Sequence, residues 1–126
     1  MTQTSVKRIL IVEDEENITI LLTFLLEQSG YTVDSVTEGE LALGQVISNT
    51  PDVLILDVML PGIDGFEVLR QVRQDARVGD LPILMLTAKG QKEDQEYALT
   101  LGANKYITKP FSNTDLVAAV NQLAKS

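Results

Sequence analysis

The chain has 126 residues, 44% hydrophobic and 22% charged, with a formal net charge of −8 at pH 7. That length suits a single domain, which buries about two-thirds of the surface its unfolded chain exposes. With no cysteine and no histidine, disulfides, zinc fingers, histidine-dependent triads and HExxH metalloproteases are excluded; the acidic balance disfavours nucleic acid or an anionic membrane as a direct partner.

The first apolar run, residues 9–12, reads as a strand buried on both faces and leads straight into four acids, 13–16. It is too short for the ~7–15-residue core of a signal peptide. The stretch 18–26 is far below the ~20 residues of a membrane span. A cytoplasmic protein is expected. Ile18, Leu21, Leu22 and Leu25 recur at helical spacing, and Gly30 closes that helix. Residues 31–36 are β-branched and mixed in polarity, the mark of an edge strand. Thr37 and Glu40 have capping-box spacing ahead of Leu43, Val46 and Ile47.

A second run, 53–56, precedes the breakers Pro61-Gly62 and Asp64-Gly65 and a third helical stripe of Phe66, Val68, Leu69 and Val72. The run 83–86 is followed by the weakest helix, about 92–101, whose apolar side is Tyr97, Ala98 and Leu101 alone. A helix that buries so little is loosely held, which suits an element that moves. Tyr106-Ile107 is a weaker fourth run, again expected to be buried on both faces. The last helix carries a clean stripe of Leu116, Ala119, Val120 and Leu123 behind Ser112 and Asp115 at capping-box spacing. Five alternations of strand and helix, with no break for a second domain, predict one doubly wound α/β sandwich over residues 1–126.

In such sheets ligands bind beyond the carboxyl ends of the strands. The residues closing the apolar runs are Glu13-Asp14, Asp57, Thr87 and Lys109. Singly, an acid after a strand is often a helix cap, Thr87 a β-former and Lys109 a surface charge. Together they place three carboxylates, a hydroxyl and an ammonium on one edge, with a net charge of −2. Clustered carboxylates either protonate or recruit a cation, and an all-oxygen set suits a hard ion, Mg²⁺ or Mn²⁺. One divalent ion would bring the cluster to neutrality and admit a phosphoryl donor. Asp57 would then act as the nucleophile, with Lys109 and Thr87 stabilising the phosphoryl oxygens.

The segments 11–15 (Ile-Val-Glu-Asp-Glu), 56–65, 82–88 and 102–111 resemble those of a receiver domain of a bacterial two-component response regulator, of the chemotaxis-regulator type. The likeness spans about residues 8–124. It implies a flavodoxin-like (βα)5 fold with sheet order 2-1-3-4-5. It further implies that Asp57 accepts a phosphoryl group from a phosphohistidine on a sensor kinase or phosphotransfer protein. Asp14, Asp57 and the Met59 backbone carbonyl would bind Mg²⁺ directly, and Glu13 through water. Thr87 would move towards the phosphoryl group, Tyr106 would follow as the switch aromatic, Lys109 would pair with phosphoryl oxygens, and Lys109–Pro110 would be cis. Positions Met59 and Lys89 tune dephosphorylation in that family. Where many members carry two acids before the aromatic, this chain has Asn104 and Lys105.

The output is expected through a protein surface at about residues 91–125, by a monomer or an activation-linked homodimer. The 15 residues after Phe111 are taken up by the last helix, so no output domain is expected. A stand-alone regulator is preferred over a receiver excised from a longer transcriptional regulator or output enzyme. An aspartyl-nucleophile phosphatase of the haloacid-dehalogenase type is disfavoured, because its second Asp would fall at Met59. A flavin or nucleotide binder is rejected, because four acids stand where a phosphate loop would be and no GxGxxG or P-loop occurs.

Overall fold

A computed structural model describes residues 6–88 and 91–125. Strands and helices alternate as β1 (Arg8–Val12), α1 (Glu16–Gln28), β2 (Thr32–Val36), α2 (Gly39–Ser48), β3 (Val53–Asp57), α3 (Gly65–Gln74), β4 (Ile83–Ala88), α4 (Lys92–Thr100), β5 (Lys105–Lys109) and α5 (Asn113–Ala124). All four strand pairings are parallel, in the order β2-β1-β3-β4-β5. This is the doubly wound, flavodoxin-like arrangement expected from the sequence.

The apolar runs are continuous because the sheet is covered twice. Successive residues of a strand point to opposite faces, so each run feeds two cores. Leu10, Val12, Leu54, Leu56 and Met85 meet Val46, Val68, Leu69 and Val72 from α2 and α3 on one face. Ile9, Ile11, Ile55, Leu84 and Leu86 meet Leu22, Leu26, Leu116 and Val120 from α1 and α5 on the other. Every residue of β3 is buried. Helices α1 and α3 thus leave neighbouring strands β1 and β3 for opposite faces, which opens a crevice beyond the carboxyl ends of these two strands.

Two local expectations are corrected. The run at Tyr106-Ile107 is not buried on both faces. β5 lies at the sheet's edge, paired only with β4, and its residues are half-buried or exposed. The capping box at Thr37 and Glu40 does not form: Glu38 is the N-cap of α2 and makes no side-chain cap bond. The start of α2 is set instead by packing, since a β-carbon on Gly39 would stand 2.6 Å from the Ile63 carbonyl oxygen.

Helices α3 and α5 are capped by side chains. Asp64 accepts from the Glu67 amide at 3.0 Å, and Ser112 accepts from the Asp115 amide at 3.2 Å. Ser112→Ala is expected to cost about 1 kcal/mol, read as a lower urea midpoint with unchanged slope.

Helix α4 is as weakly anchored as its sequence suggests: Ala98 is its one buried residue. Tyr97 supplements it by packing edge-on against Phe66, ring centroids 4.8 Å apart, and its hydroxyl accepts from Arg70 at 2.9 Å. The turn after α4 is held by Arg73 of α3, which no sequence pattern pointed to. Its guanidinium donates to the carbonyls of Gly102, Gly79 and Leu81 and to Asn104 Oδ1, all at 2.7–3.0 Å. Burial lowers the Arg73 pKa from its ordinary value. Among the described residues, no helix is long and apolar enough to cross a membrane.

Candidate functional site

Parallel register places the ends of four strands side by side. Val12 pairs with Leu56, Asp57 with Leu86, and Ala88 with Lys109. Glu13, Asp57, Thr87 and Lys109 therefore arrive at one edge although they span 96 positions of sequence. The structure gathers a carboxylate oxygen from each of Glu13, Asp14 and Asp57 within 4.8 Å of one another. Glu13 and Asp57 are buried, whereas Asp14 is exposed at the mouth.

Lys109 reaches into this group from the edge strand. Its Nζ lies 3.1 Å from Glu13 Oε1, 3.3 Å from Glu15 Oε1 and 3.2 Å from Asp57 Oδ2. Backbone amides add to the ordering: Met59 N donates to Asp57 Oδ1 at 3.2 Å, and Glu15 N donates to Glu13 Oε2 at 3.0 Å. The Lys109 contact to Asp57 Oδ2 is an ion pair off the hydrogen-bond direction, so that buried oxygen has no hydrogen bond among the described residues. Thr87 Oγ1 is likewise buried without a partner.

Burial, reinforced by the Asp57 carboxyl beside it, pushes Glu13 from its ordinary 4.5 up to about 7. Burial works to lower the Lys109 ammonium, but the Asp57 and Glu13 carboxylates outweigh it and leave its pKa raised. The site therefore holds more negative charge than its single ammonium balances. Its two orphaned oxygens and its all-oxygen donor set fit a hard cation and a further oxygen-rich group.

A stability consequence follows from Glu13. Between pH 4.5 and about 7 the folded chain keeps a proton that the unfolded chain has lost. That contribution is fully present below the lower value and is lost as pH rises through the upper one, a change of about 1–3 kcal/mol in metal-free protein. Urea midpoints at pH 5 and pH 8 should show the decline in the native chain and a smaller one in Glu13→Gln; parallel declines would refute the assignment.

Of the residues singled out from sequence, Glu13, Asp14, Asp57, Thr87 and Lys109 meet at this edge. The Met59 amide is tied to Asp57 while its side chain is 69% exposed. Tyr106, paired with Met85 on β5, has its side chain turned partly to solvent, 38% exposed. The Lys109–Pro110 bond is cis. Lys89 lies outside the described residues. Glu15, to which sequence reasoning assigns no role, is the N-cap of α1 without a side-chain cap bond and adds a carboxylate to Lys109.

Residues 9–121 match the family described as the response regulator receiver domain. The alkaline phosphatase synthesis transcriptional regulatory protein PhoP of Bacillus subtilis (strain 168) is 47% identical over 119 residues, covering 94% of this chain and 49% of that protein. The chain spans about half the length of the curated relatives it matches. A Chloroflexus aurantiacus J-10-fl structure provisionally named a response regulator superposes with a TM-score of 0.94 at 40% identity, over 97% of this chain and all of that one. The receiver domain of sensor histidine kinase PA1611 from Pseudomonas aeruginosa PAO1, solved with a magnesium ion in its active site cleft, gives 0.88 at 30% identity, over 97% and 100%.

Proposed function

The chain belongs to the response regulator receiver family of two-component signalling, and from that footing we propose that Asp57 is its phosphoacceptor, charged by a phosphohistidine on a sensor kinase or phosphotransfer protein. The observation that carries this reading is Asp57 Oδ2: a buried carboxylate oxygen at the end of β3, without a hydrogen bond among the described residues and facing an ammonium 3.2 Å away.

An Asp57 oxygen attacks phosphorus, the P–N bond to the donor imidazole breaks as the P–O bond forms, and the electron pair leaves with the imidazole. Lys109 then pairs with the phosphoryl oxygens, and the unpartnered Thr87 hydroxyl supplies a donor to them. Tyr106, on the strand next to Thr87, follows it inward and alters the surface formed by residues 91–125, through which the signal passes to a protein target. Attack of water on the same phosphorus breaks its bond to the Asp57 oxygen, releasing inorganic phosphate and restoring the carboxylate.

Glu13, Asp14, Asp57 and the Met59 backbone carbonyl would hold Mg²⁺, or Mn²⁺ with the same hard-oxygen preference. When bound, the ion offsets the excess negative charge and the charge on the phosphoryl oxygens. The magnesium-loaded PA1611 receiver supports this choice. Asp14→Asn should weaken Mg²⁺ binding at least about tenfold by calorimetry, and unchanged affinity would remove Asp14 from the set. The chain is proposed to work in the cytoplasm, as a monomer or as a homodimer that forms on activation.

Incubation with acetyl phosphate and Mg²⁺ tests the reading. The expected product carries one phosphoryl group, ~80 Da heavier, mapped to residue 57 by borohydride trapping and fragment sequencing, and its formation stops with EDTA. A label at another residue, or undiminished labelling without divalent cation, would overturn it.

A further inference from the structure

Lys109 is more heavily engaged than a single phosphoryl partner requires. An ammonium has three N–H donors and no acceptor, and here it faces three carboxylates: Glu13 at 3.1 Å, Asp57 at 3.2 Å and Glu15 at 3.3 Å. Two of these contacts are hydrogen bonds, to Glu13 and Glu15, while the Asp57 contact lies off the hydrogen-bond direction; a phosphoryl group on Asp57 that draws more than the one remaining N–H has to displace Glu13 or Glu15.

The three are not equally easy to displace. Asp57 carries the incoming group and stays. Glu13 is fully buried, so no bulk water is at hand to replace the ammonium it would give up. The Glu15 side chain is 60% exposed, so water replaces the lost contact at little cost.

Glu15 is also placed for this work rather than for capping. It is the N-cap of α1, yet its side chain makes no cap bond and reaches Lys109 across 94 positions of sequence. Its backbone amide meanwhile donates to Glu13 Oε2. One residue thus ties down the buried carboxylate with its main chain and occupies the ammonium with its side chain.

We propose that Glu15 is a positioning residue for phosphoryl transfer: it occupies one donor of Lys109 in the unphosphorylated chain and yields that donor to the phosphoryl group. The inference rests on Asp57 as phosphoacceptor and adds to it a built-in competitor that slows charging and steadies the empty site.

The test compares wild type, Glu15→Ala and Glu16→Ala. Glu16 is exposed in the first turn of α1, so its variant removes the same unit of charge from the neighbouring position without touching the Lys109 contact. Two readouts are taken: the rate of labelling by acetyl phosphate with Mg²⁺, and the ¹³Cε NMR shift of Lys109 in the metal-free chain at fixed pH. Glu15→Ala should label about two- to fivefold faster than wild type, the range set by a half-exposed ion pair, and should move the Lys109 signal. Glu16→Ala should do neither. With wild type labelled at residue 57, equal rates in the two variants, a slower Glu15→Ala, or an unmoved Lys109 signal would overturn the inference and leave the phosphoacceptor reading intact. A wild-type chain that takes up no phosphoryl group would overturn the phosphoacceptor reading itself, and the inference with it.

Discussion

Asp57→Asn is expected to abolish phosphoryl uptake while leaving the fold intact. The amide is nearly the same size as the carboxylate, so the β3 end stays packed, and Asn Oδ1 still accepts from the Met59 amide that now donates to Asp57 at 3.2 Å. What disappears is the nucleophile, since an amide oxygen forms no stable phosphoryl adduct. The loss should be at least about a thousandfold in labelling rate, the scale found when a covalent nucleophile is removed. Lys109 keeps Glu13 and Glu15 as partners, so its ammonium is not stranded. One negative charge leaves a cluster in which burial and the neighbouring carboxyl already hold Glu13 at about 7, so the metal-free variant should melt no lower than wild type. Mass spectrometry and a thermal melt on the same preparation check both halves; labelling at the wild-type rate would place the chemistry on another residue.

Gly65→Val should have the largest effect on stability. A β-carbon at this position would lie 2.2 Å from the Asp57 carbonyl oxygen and 2.8 Å from Val58 Cα. Both are backbone atoms that cannot swing aside. The Gly65 amide also donates to Val58 O at 2.9 Å, so α3 begins in direct contact with the main chain that carries Asp57. A side chain here has to lever the helix away from the strand end or break that hydrogen bond. The expected cost is about 3 kcal/mol or more, in the class of overpacked, strained core substitutions. Because the strain falls on the residue bearing the carboxylate, labelling should drop even in conditions where the variant stays folded. Denaturant melts with labelling at low urea distinguish the two losses; a variant as stable and as active as wild type would show that the close approach is dispensable.

Much of this architecture was legible in the chain. Runs such as 53–56 are apolar at every position because a parallel strand covered on both faces has no polar side, and that pattern admits few folds. Ser112 announces the start of α5 through a side chain that bonds the next turn, a local event that sequence spacing captures. The strand ends at Glu13, Asp57, Thr87 and Lys109 were readable because a parallel α/β sheet puts all its carboxyl ends on one edge. Thr37 and Glu40 had the right spacing for a cap that does not form, since α2 is seated by the contact of Gly39 with Ile63. The doubly buried strand expected at Tyr106 turned out to be the sheet's edge, because burial depends on how many neighbours a strand has and not on its own residues.

The sequence by itself determined the alternating α/β order, the absence of cysteine and histidine chemistry, and which oxygen-bearing residues gather at the strand ends. These follow from hydrophobic periodicity and composition, which are properties of short segments. Only the tertiary structure decided how the charges pair: that Lys109 is shared among Glu13, Asp57 and Glu15, that burial raises Glu13, and that Arg73 clasps the turn beyond α4. Each depends on distances between segments far apart in the chain and on the water excluded around them, and both are set when the sheet assembles.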